Sequence, residues 1–509
     1  MEYLQKVRST VTKAYEQVGN VVAGNPALRL FEPGDMIGSA GPAHLWKIHK
    51  AKKRSTGQTV AMWIFERKQV ETFSKDDQTR IVDMLKRGVS QLTRVRHPRV
   101  LVVEHPLEEG RDSFIFCTEP VIGSLANVLG QTEGLPQPAT IHHRSYKLHE
   151  IEIRIGLKQA AEALTFLHVD AKMMHRNVCP TSIILNEKGD FKLAGFDFAM
   201  TASTNDPSGI SCDSSDIDDH ISWQLLPSVD FLAPELAAGG RSEPSSDVYS
   251  LAVVSYAIFN DGKTPFQCKN RLDLLRQNTE KLKAVPPEWA LRIPETFRED
   301  FKLCLNKMPK IRPDAAQFTK IPFFKDHRLD TVQTLESFMQ HEQMIKIELL
   351  KKLPDLLIHF EKRLLVQKIR PCLMAEFSHP DLIPFILPSL FYIIDLTDKE
   401  EFTNLVMPEL GPVFAMERPY QIIILLLEKL DLFLSRAETK DVDNYILPCL
   451  YRAIKNENGR IQEICLNVVP KIAKLISRHN MKTDVLPRLL ALATSGDTLA
   501  VREMANFLK

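Results

Sequence analysis

His175-Arg176-Asn177 runs on to Ser182, and Gly195-Phe196-Asp197 begins thirteen residues after that serine. Two loops at this spacing carry out phosphoryl transfer when three side chains are in place. An Asp in the first loop accepts the proton of the attacking hydroxyl. An Asn further along that loop helps to hold Mg²⁺, and an Asp opening the second loop holds the metal against the phosphates. Asn177, Ser182 and Gly195 stand at those three places. An amide cannot take a proton as a carboxylate does, a neutral hydroxyl is a weak ligand for a hard cation, and glycine offers no donor. Asp197 comes two residues late, where a turn should aim its carboxylate elsewhere.

The elements that should position this chemistry have lost its residues and kept its framework. Ile37 to Leu45 occupies the place of a phosphate-cradling glycine loop, but only Gly38 stands where a glycine is needed, with Ala40 and Ala43 at the other two places. Val60-Ala61-Met62-Trp63 reads as the strand that should end in a phosphate-binding Lys, and Trp63 takes that place. Gly88 stands where the partner Glu of that Lys belongs, and Cys179 where a Lys usually steadies the γ-phosphate. Ala233-Pro234-Glu235, Arg312-Pro313 and Asp247 by contrast are residues that brace such a site, together with His175 and Phe196. In their order and spacing these motifs resemble a protein kinase domain. The site should therefore have no catalytic residue, no metal site and no bound cofactor. If ATP were retained, Gly38, Glu119 and Val121 would be its contacts.

At 509 residues the chain should form more than one domain. Hydrophobic content is 44%, charged content 25% and net charge +1, so no global field favours nucleic acid. Eight scattered cysteines without a C-x-x-C pair fit a reducing compartment. The aliphatic run Ile422 to Leu427 is far too short to span a bilayer. Residues 1–22 have helical spacing. Strand patterns dominate to about residue 120, helices dominate from residue 150, and 201–222 reads as an acidic, mobile loop. After residue 325 all is helical. Prolines recur at Pro371, Pro408, Pro448 and Pro487, and Ile461-Gln462-Glu463 returns as Val501-Arg502-Glu503. A period near 40 residues is that of HEAT or armadillo repeats. The expected architecture is an α+β bilobal protein-kinase-like fold followed by an all-α HEAT-repeat solenoid. Its parts are a helical extension over 1–28, the kinase-like domain over 29–327 and the solenoid over 328–509. Lys509 falls within what should be the second helix of a repeat with no polar capping repeat in sight, so either the chain is a fragment or its end is covered by something else.

Several stretches make the resemblance narrower. They include Arg8-Ser9-Thr10-Val11-Thr12-Lys13, Leu92 to Arg99, Cys117-Thr118-Glu119-Pro120-Val121, Thr319 to Phe324 and Pro408 to Phe414. With them the whole chain resembles the Scy-like pseudokinase family, in particular its clathrin-coated-vesicle-associated branch. That resemblance implies a catalytically inactive scaffold in clathrin-dependent traffic between trans-Golgi network, endosomes and plasma membrane. It implies a cytoplasmic protein, peripheral on coated vesicles, with clathrin and its adaptor complexes as partners and SNARE or cargo proteins as further ones. The alternative is a weak or atypical Ser/Thr protein kinase with residual ATP binding. Two further features invite a role. Arg176 holds a place from which a phosphorylated loop could be gripped, and the basic run from Lys346 to Arg370 could meet acidic peptides or phosphoinositide head groups.

Overall fold

The structure, a computed structural model, describes residues 24–132, 135, 146–201, 211–212, 217, 222–282, 284–456, 458–472, 479, 481–487 and 490. The expected helix over 1–22 lies outside the described residues, as do most of the acidic stretch 201–222 and the second copy of the Ile461 motif. The chain divides into two units, Met1–Leu329 and Asp330–Lys509.

In the first unit, strands β1 (Phe31–Ala40), β2 (Trp46–Lys53), β3 (Thr59–Glu66), β4 (Val103–Glu109) and β5 (Ser113–Thr118) form one antiparallel sheet in the order β1-β2-β3-β5-β4. Side chains alternate across it. Val60, Met62 and Ile64 of β3 join Ile115, Cys117, Ala27 and Phe31 in an aliphatic cluster on one face. Trp63 and Phe65 turn to the other face, where they meet Phe116, Phe114 and Trp46. Helix α1 (Lys75–Arg94) crosses that second face. Ser74 caps it by accepting from the Asp77 N–H, and Ile81, Leu85, Gly88, Val89 and Leu92 form its buried stripe.

Below the connector Glu119-Pro120 lies a mostly helical lobe. Strand β6 (Val121–Ser124) pairs with β8 (Ile183–Asn186), which pairs with β9 (Phe191–Leu193); β7 (Met173–Met174) pairs with β10 (Met200–Thr201). Helix α2 (Glu150–Val169) packs on β9 and on α3 (Pro244–Phe259), with α4 (Leu272–Lys281) and α5 (Glu295–Cys304) outside them. Every residue of α3 from Ser246 to Val254 is buried, as expected of a helix that is apolar almost all round.

The second unit shows why its prolines repeat. Each of Pro371, Pro408, Pro448 and Pro487 stands two residues past the end of a π turn: Leu365–Ile369, Phe402–Val406, Val442–Ile446 and Met481–Val485. Proline lacks an N–H and its ring crowds the carbonyl four residues earlier, so the turn before it widens. Each of the first three widened helices packs on the next plain one, namely α6 (Ile383–Leu396), α7 (Tyr420–Glu428) and α8 (Gly459–Ile472). Successive plain helices pack on one another, so the second unit is built of helical repeats.

Of the basic run from Lys346 to Arg370, expected to be able to meet head groups or acidic peptides, Lys346, Lys368 and Arg370 are buried, whereas Lys351, Lys352 and Lys362 are exposed. Lys346 is paired with Glu376 at 2.9 Å and Lys368 with Glu336 at 2.6 Å, with Lys346, Glu376 and Lys368 buried. Arg370 bonds to the Val366 and Leu405 carbonyls and faces Glu409, Lys362 meets Glu401, and Lys352 meets Glu348. Lys351 lies over the Phe385 ring. The partners sit mostly on other helices, so the cations tie repeats together.

In the first unit the corresponding tie is bidentate. Arg312 donates from Nη1 and Nη2 to the two oxygens of Glu235, each at 2.7 Å, while its Nε donates to the Asn306 carbonyl. Its side chain is fully buried and stacks on Tyr249. Arg312→Ala should cost about 3–5 kcal/mol of stability, because Glu235 would remain buried without its counter-charge. Urea unfolding followed by circular dichroism measures it, and Arg312→Lys should recover only part, since one ammonium cannot bridge both oxygens.

Candidate functional site

The bracing residues converge on one carboxylate. Asp247, at the start of α3, accepts from the backbone N–H groups of His175 and Arg176, each at 2.8 Å, and lies 2.9 Å from His168 Nε2. It thereby fixes the start of the first loop. His175 Nε2 lies 2.8 Å from the Ala194 carbonyl, and its ring meets Phe196 edge-on at 5.1 Å. The two loops are thus held side by side, as phosphoryl transfer would need.

What they present is different. Asn177 Oδ1 accepts from the Ser228 N–H at 2.9 Å. The Ser182 hydroxyl donates to the Cys179 carbonyl at 2.9 Å and accepts from the Cys179 N–H at 3.0 Å, so it is engaged within its own loop. Gly195 has φ of +70°, and a Cβ there would lie 2.8 Å from Ser182 Cβ. The two places that should hold a metal therefore close against each other. Cys179 is buried with its Sγ near Thr181, and burial raises its thiol pKa.

Asp197 fills the space of the missing Glu. A Cβ on Gly88 would lie 2.5 Å from Asp197 Oδ1 and 3.0 Å from its Cα. The carboxylate points at α1, and the neighbouring Arg87 donates to the Asp197 carbonyl at 2.8 Å. Burial pushes the Asp197 carboxyl up to about 7, against smaller opposing pulls from its own N–H and from Arg87. On the other side Trp63 stacks on Phe116 and donates from Nε1 to Thr118 Oγ1 at 2.9 Å. Between Trp63, Gly88, Phe116 and Asp197 only a cavity of about 20 Å³ remains, room for roughly one water.

The glycine-loop region is folded down onto the lower lobe. The Ser39 N–H donates to Asn127 Oδ1 at 2.9 Å, Asn127 Nδ2 donates back to Ser39 Oγ at 3.2 Å, and Ser39 Oγ lies 2.9 Å from His44 Nδ1. At the tip the Gly41 N–H reaches the Thr181 carbonyl at 3.1 Å. A Cβ on Gly38 would lie 2.8 Å from Asn127 Oδ1 and 3.3 Å from Gly123 Cα. A flat ring held between two surfaces needs them about 7 Å apart, twice a van der Waals contact. Glu119 accepts from the Val102 N–H and from Asn186 Nδ2, and lies 3.5 Å from Lys192 Nζ. Val121 pairs with Asn186 in the β6–β8 ladder. Of the three ATP candidates, then, Gly38 is pressed against β6 while Glu119 and Val121 are engaged within the protein. Asn127, Ser39 and His44 were missed by sequence reasoning; nothing in their types or spacing marks them as partners.

Arg176 is buried, with φ of +62° and Nη1 bonded to the Phe198 carbonyl and Met200 Sδ. The loop it could grip lies outside the described residues. Among the described residues no cluster of three or more His, Cys, Asp or Glu gathers as metal ligands would, and no helix is long and apolar enough to cross a membrane.

A bilobal unit with a Glu235–Arg312 tie and an Asp247-braced loop is a protein kinase fold, and the protein kinase domain family model matches residues 37–324. The chain belongs to the protein kinase family. Within it, 502 residues, 98% of the chain, are 42% identical to the human and mouse proteins called SCY1-like protein 2. A Dictyostelium discoideum relative, 23% identical over 449 residues, bears the name probable inactive serine/threonine-protein kinase scy1; the match spans 86% of this chain and 48% of that protein. The chain spans 54% of the length of the human and mouse relatives.

Two outcomes follow from the Asp197–Gly88 fit. Gly88→Ala should destabilise by about 1–3 kcal/mol through overpacking, although Ala normally favours a helix over Gly. Gly88→Ala combined with Asp197→Gly should recover part of that loss, a coupling that a double-mutant cycle in urea reads directly. The folded state also holds the Asp197 proton more tightly than the unfolded chain does. Stability contributed by this group should therefore be complete below the ordinary value of 3.8, fall as pH rises towards about 7 and level off above it. The slope is at most about 1.4 kcal/mol per pH unit, and Asp197→Asn should remove it.

Proposed function

We propose that the chain is a catalytically inactive pseudokinase scaffold acting in clathrin-dependent membrane traffic. One observation carries the inactive part: the nucleotide half of the cleft is occupied by the protein's own groups. Asn127 holds β1 against Gly123, Trp63 fills the phosphate-side space, and Ser182 meets Gly195 where Mg²⁺ would sit. Magnesium and ATP do not fit these residues, and no step is routed through them. Among the described residues no carboxylate takes the place that would accept a substrate proton, since Asn177 stands there and Asp197 faces α1. The traffic part rests on the sequence resemblance to the clathrin-coated-vesicle-associated branch, supported by the similarity to SCY1-like protein 2 over nearly the whole chain. On that reading clathrin and its adaptor complexes are the partners. The protein then sits on vesicle, trans-Golgi and endosomal membranes as a peripheral component, and the helical repeats add a second long binding face.

A thermal titration with ATP, with and without Mg²⁺, tests the inactive part. A ligand at a hundred times its Kd raises stability by about 2.7 kcal/mol, so an occupied site would be plain to see. The expected result is an unchanged melting temperature at millimolar nucleotide; a saturable rise would restore the atypical-kinase reading. Recovery of the chain with purified clathrin-coated vesicles checks the traffic part, and its absence from that fraction would remove it.

A further inference from the structure

One half of the cleft stays open as a groove of about 410 Å³, bounded by the Pro42–His44 turn, Asn177, Thr181 and the segment from Gly262 to Asn270. That groove belongs to the cleft already described. A different surface lies at the far end of the first sheet, where β2 turns into β3. The turn is tight: the Gly57 N–H donates to the Lys53 carbonyl and the Lys53 N–H to the Gln58 carbonyl, each at 2.8 Å. The segment that leads into β1 is tied to it. The Arg54 N–H donates to the Leu30 carbonyl at 2.8 Å, and Arg54 Nε to the Leu28 carbonyl at 3.3 Å. Across the β1–β2 ladder Lys53 stands opposite Phe31 and Lys52 opposite Glu32. These bonds gather Arg29, Lys50, Lys52, Lys53 and Arg54 at one corner.

The corner is strongly positive. Glu32 and Asp35 are the carboxylates of the adjoining strand, so five cations face two carboxylates, an excess of three in a chain whose whole net charge is +1. Glu32 lies 3.5 Å from Arg54, with both side chains half exposed, and such a pair is weak. Among the described residues no hydrogen bond or ion pair engages the side chains of Arg29, Lys50, Lys52 or Lys53, and all of these but Lys53 are exposed. Glu66 stands at the other end of β3, and Glu104, Glu108 and Glu109 belong to β4, the opposite edge of the sheet. Residues 1–23 add Lys6, Arg8 and Lys13 against Glu2 and Glu16, so they do not cancel the excess.

The arrangement favours a surface over a strand or a small anion. Side chains alternate along β2, so Lys50 and Lys52 leave on one face and Lys53 on the other. The cations therefore ring the end of the hairpin. A peptide laid on one face would reach only some of them, whereas a charged plane acts on all of them across about 8 Å at physiological salt. Lysine is depleted in protein interfaces but adds to the attraction of an anionic bilayer without exact pairing. Leu30, 48% exposed beside these cations, is an apolar group that a headgroup boundary accepts and a phosphodiester backbone does not.

We propose that this corner docks the chain on an anionic phospholipid surface, with Arg29, Lys50, Lys52, Lys53 and Arg54 facing the headgroups and Leu30 at their boundary with the acyl chains. This rests on the peripheral-membrane part of the scaffold reading and supplies a direct lipid contact for it.

The test is co-sedimentation of the full chain with phosphatidylcholine vesicles, with and without phosphatidylserine. The chain should bind the phosphatidylserine vesicles alone and should bind them less as salt rises. Lys50→Gln, Lys52→Gln and Lys53→Gln together should weaken binding about a hundredfold, at roughly fivefold per charge. The melting temperature should stay unchanged, because these ammonium groups engage nothing in the fold, and the triple Lys→Arg variant should keep its binding. Equal binding to the two kinds of vesicle overturns the proposal, as does binding that survives the triple Gln change. Transfer of the chain from the vesicles to a Glu-rich peptide or to RNA at physiological salt also overturns it, since another partner class would then own the corner. A chain recovered with coated vesicles that ignores phosphatidylserine would sink the docking alone. Lysine-dependent lipid binding by a chain absent from coated vesicles would sink the traffic reading alone.

Discussion

A single buried amide, Asn127, sets the position of the first strand relative to the lower lobe. Its oxygen accepts from the Ser39 N–H, and its nitrogen donates to Ser39 Oγ and to the Gln131 carbonyl. A buried amide leaves no polar atom unmatched without cost, so moving β1 away would orphan groups on both sides of the cleft. That constraint brings Gly38 against Gly123 and lets Gly41 reach Thr181. It also fixes the turn through Ala43 and His44, which forms one wall of the open groove. The closed half and the open half are two consequences of the same hydrogen bonds.

The missing catalytic residues are missing in matched pairs because the interior is close-packed. Removing a Glu side chain from α1 would leave a void; Asp197 occupies it, and only Gly88 leaves room for Asp197. Removing both metal ligands lets Ser182 and Gly195 come together, and the left-handed φ at Gly195 suits glycine. Replacing the Lys by Trp63 requires a partner for the indole N–H, which Thr118 supplies. Restoring a side chain at Gly88 or Gly195 alone would meet Asp197 or Ser182, which already takes its space.

The fold was legible where a residue type dictates backbone or burial by itself. Proline has no N–H wherever it stands, so the recurrence of Pro371, Pro408 and Pro448 marked a helical repeat near 40 residues, and the structure shows a widened turn before each of them. The Trp63 strand was legible from its β-branched and aromatic run. Pairings across long sequence separations were not. Ser39 and Asn127 lie far apart in the chain, as do Gly88 and Asp197, and neither pair has a type signature. The basic run was misread for the same reason. Lysines close in sequence look like a patch, but Lys346 reaches forward to Glu376 and Lys368 back to Glu336, and both disappear into the helix packing.

The residues at the catalytic places do not by themselves explain why Asp247 is present. A buried carboxylate is costly unless its partners are held in place, and here they are the N–H groups that shape the His175–Arg176 turn. That turn leads into Asn177, Cys179 and Thr181, the floor of the open groove. The Glu235–Arg312 tie in turn secures the segment that leads into α3 through Ser245 and Ser246. Both braces bear on the lower-lobe side of the cleft, whereas the abandoned Lys–Glu pair belonged to the nucleotide side. The places that would touch only phosphate or metal hold Trp63, Ser182 and Gly195, while the residues that hold the lower-lobe side, Asp247, Glu235 and Arg312, are all in place.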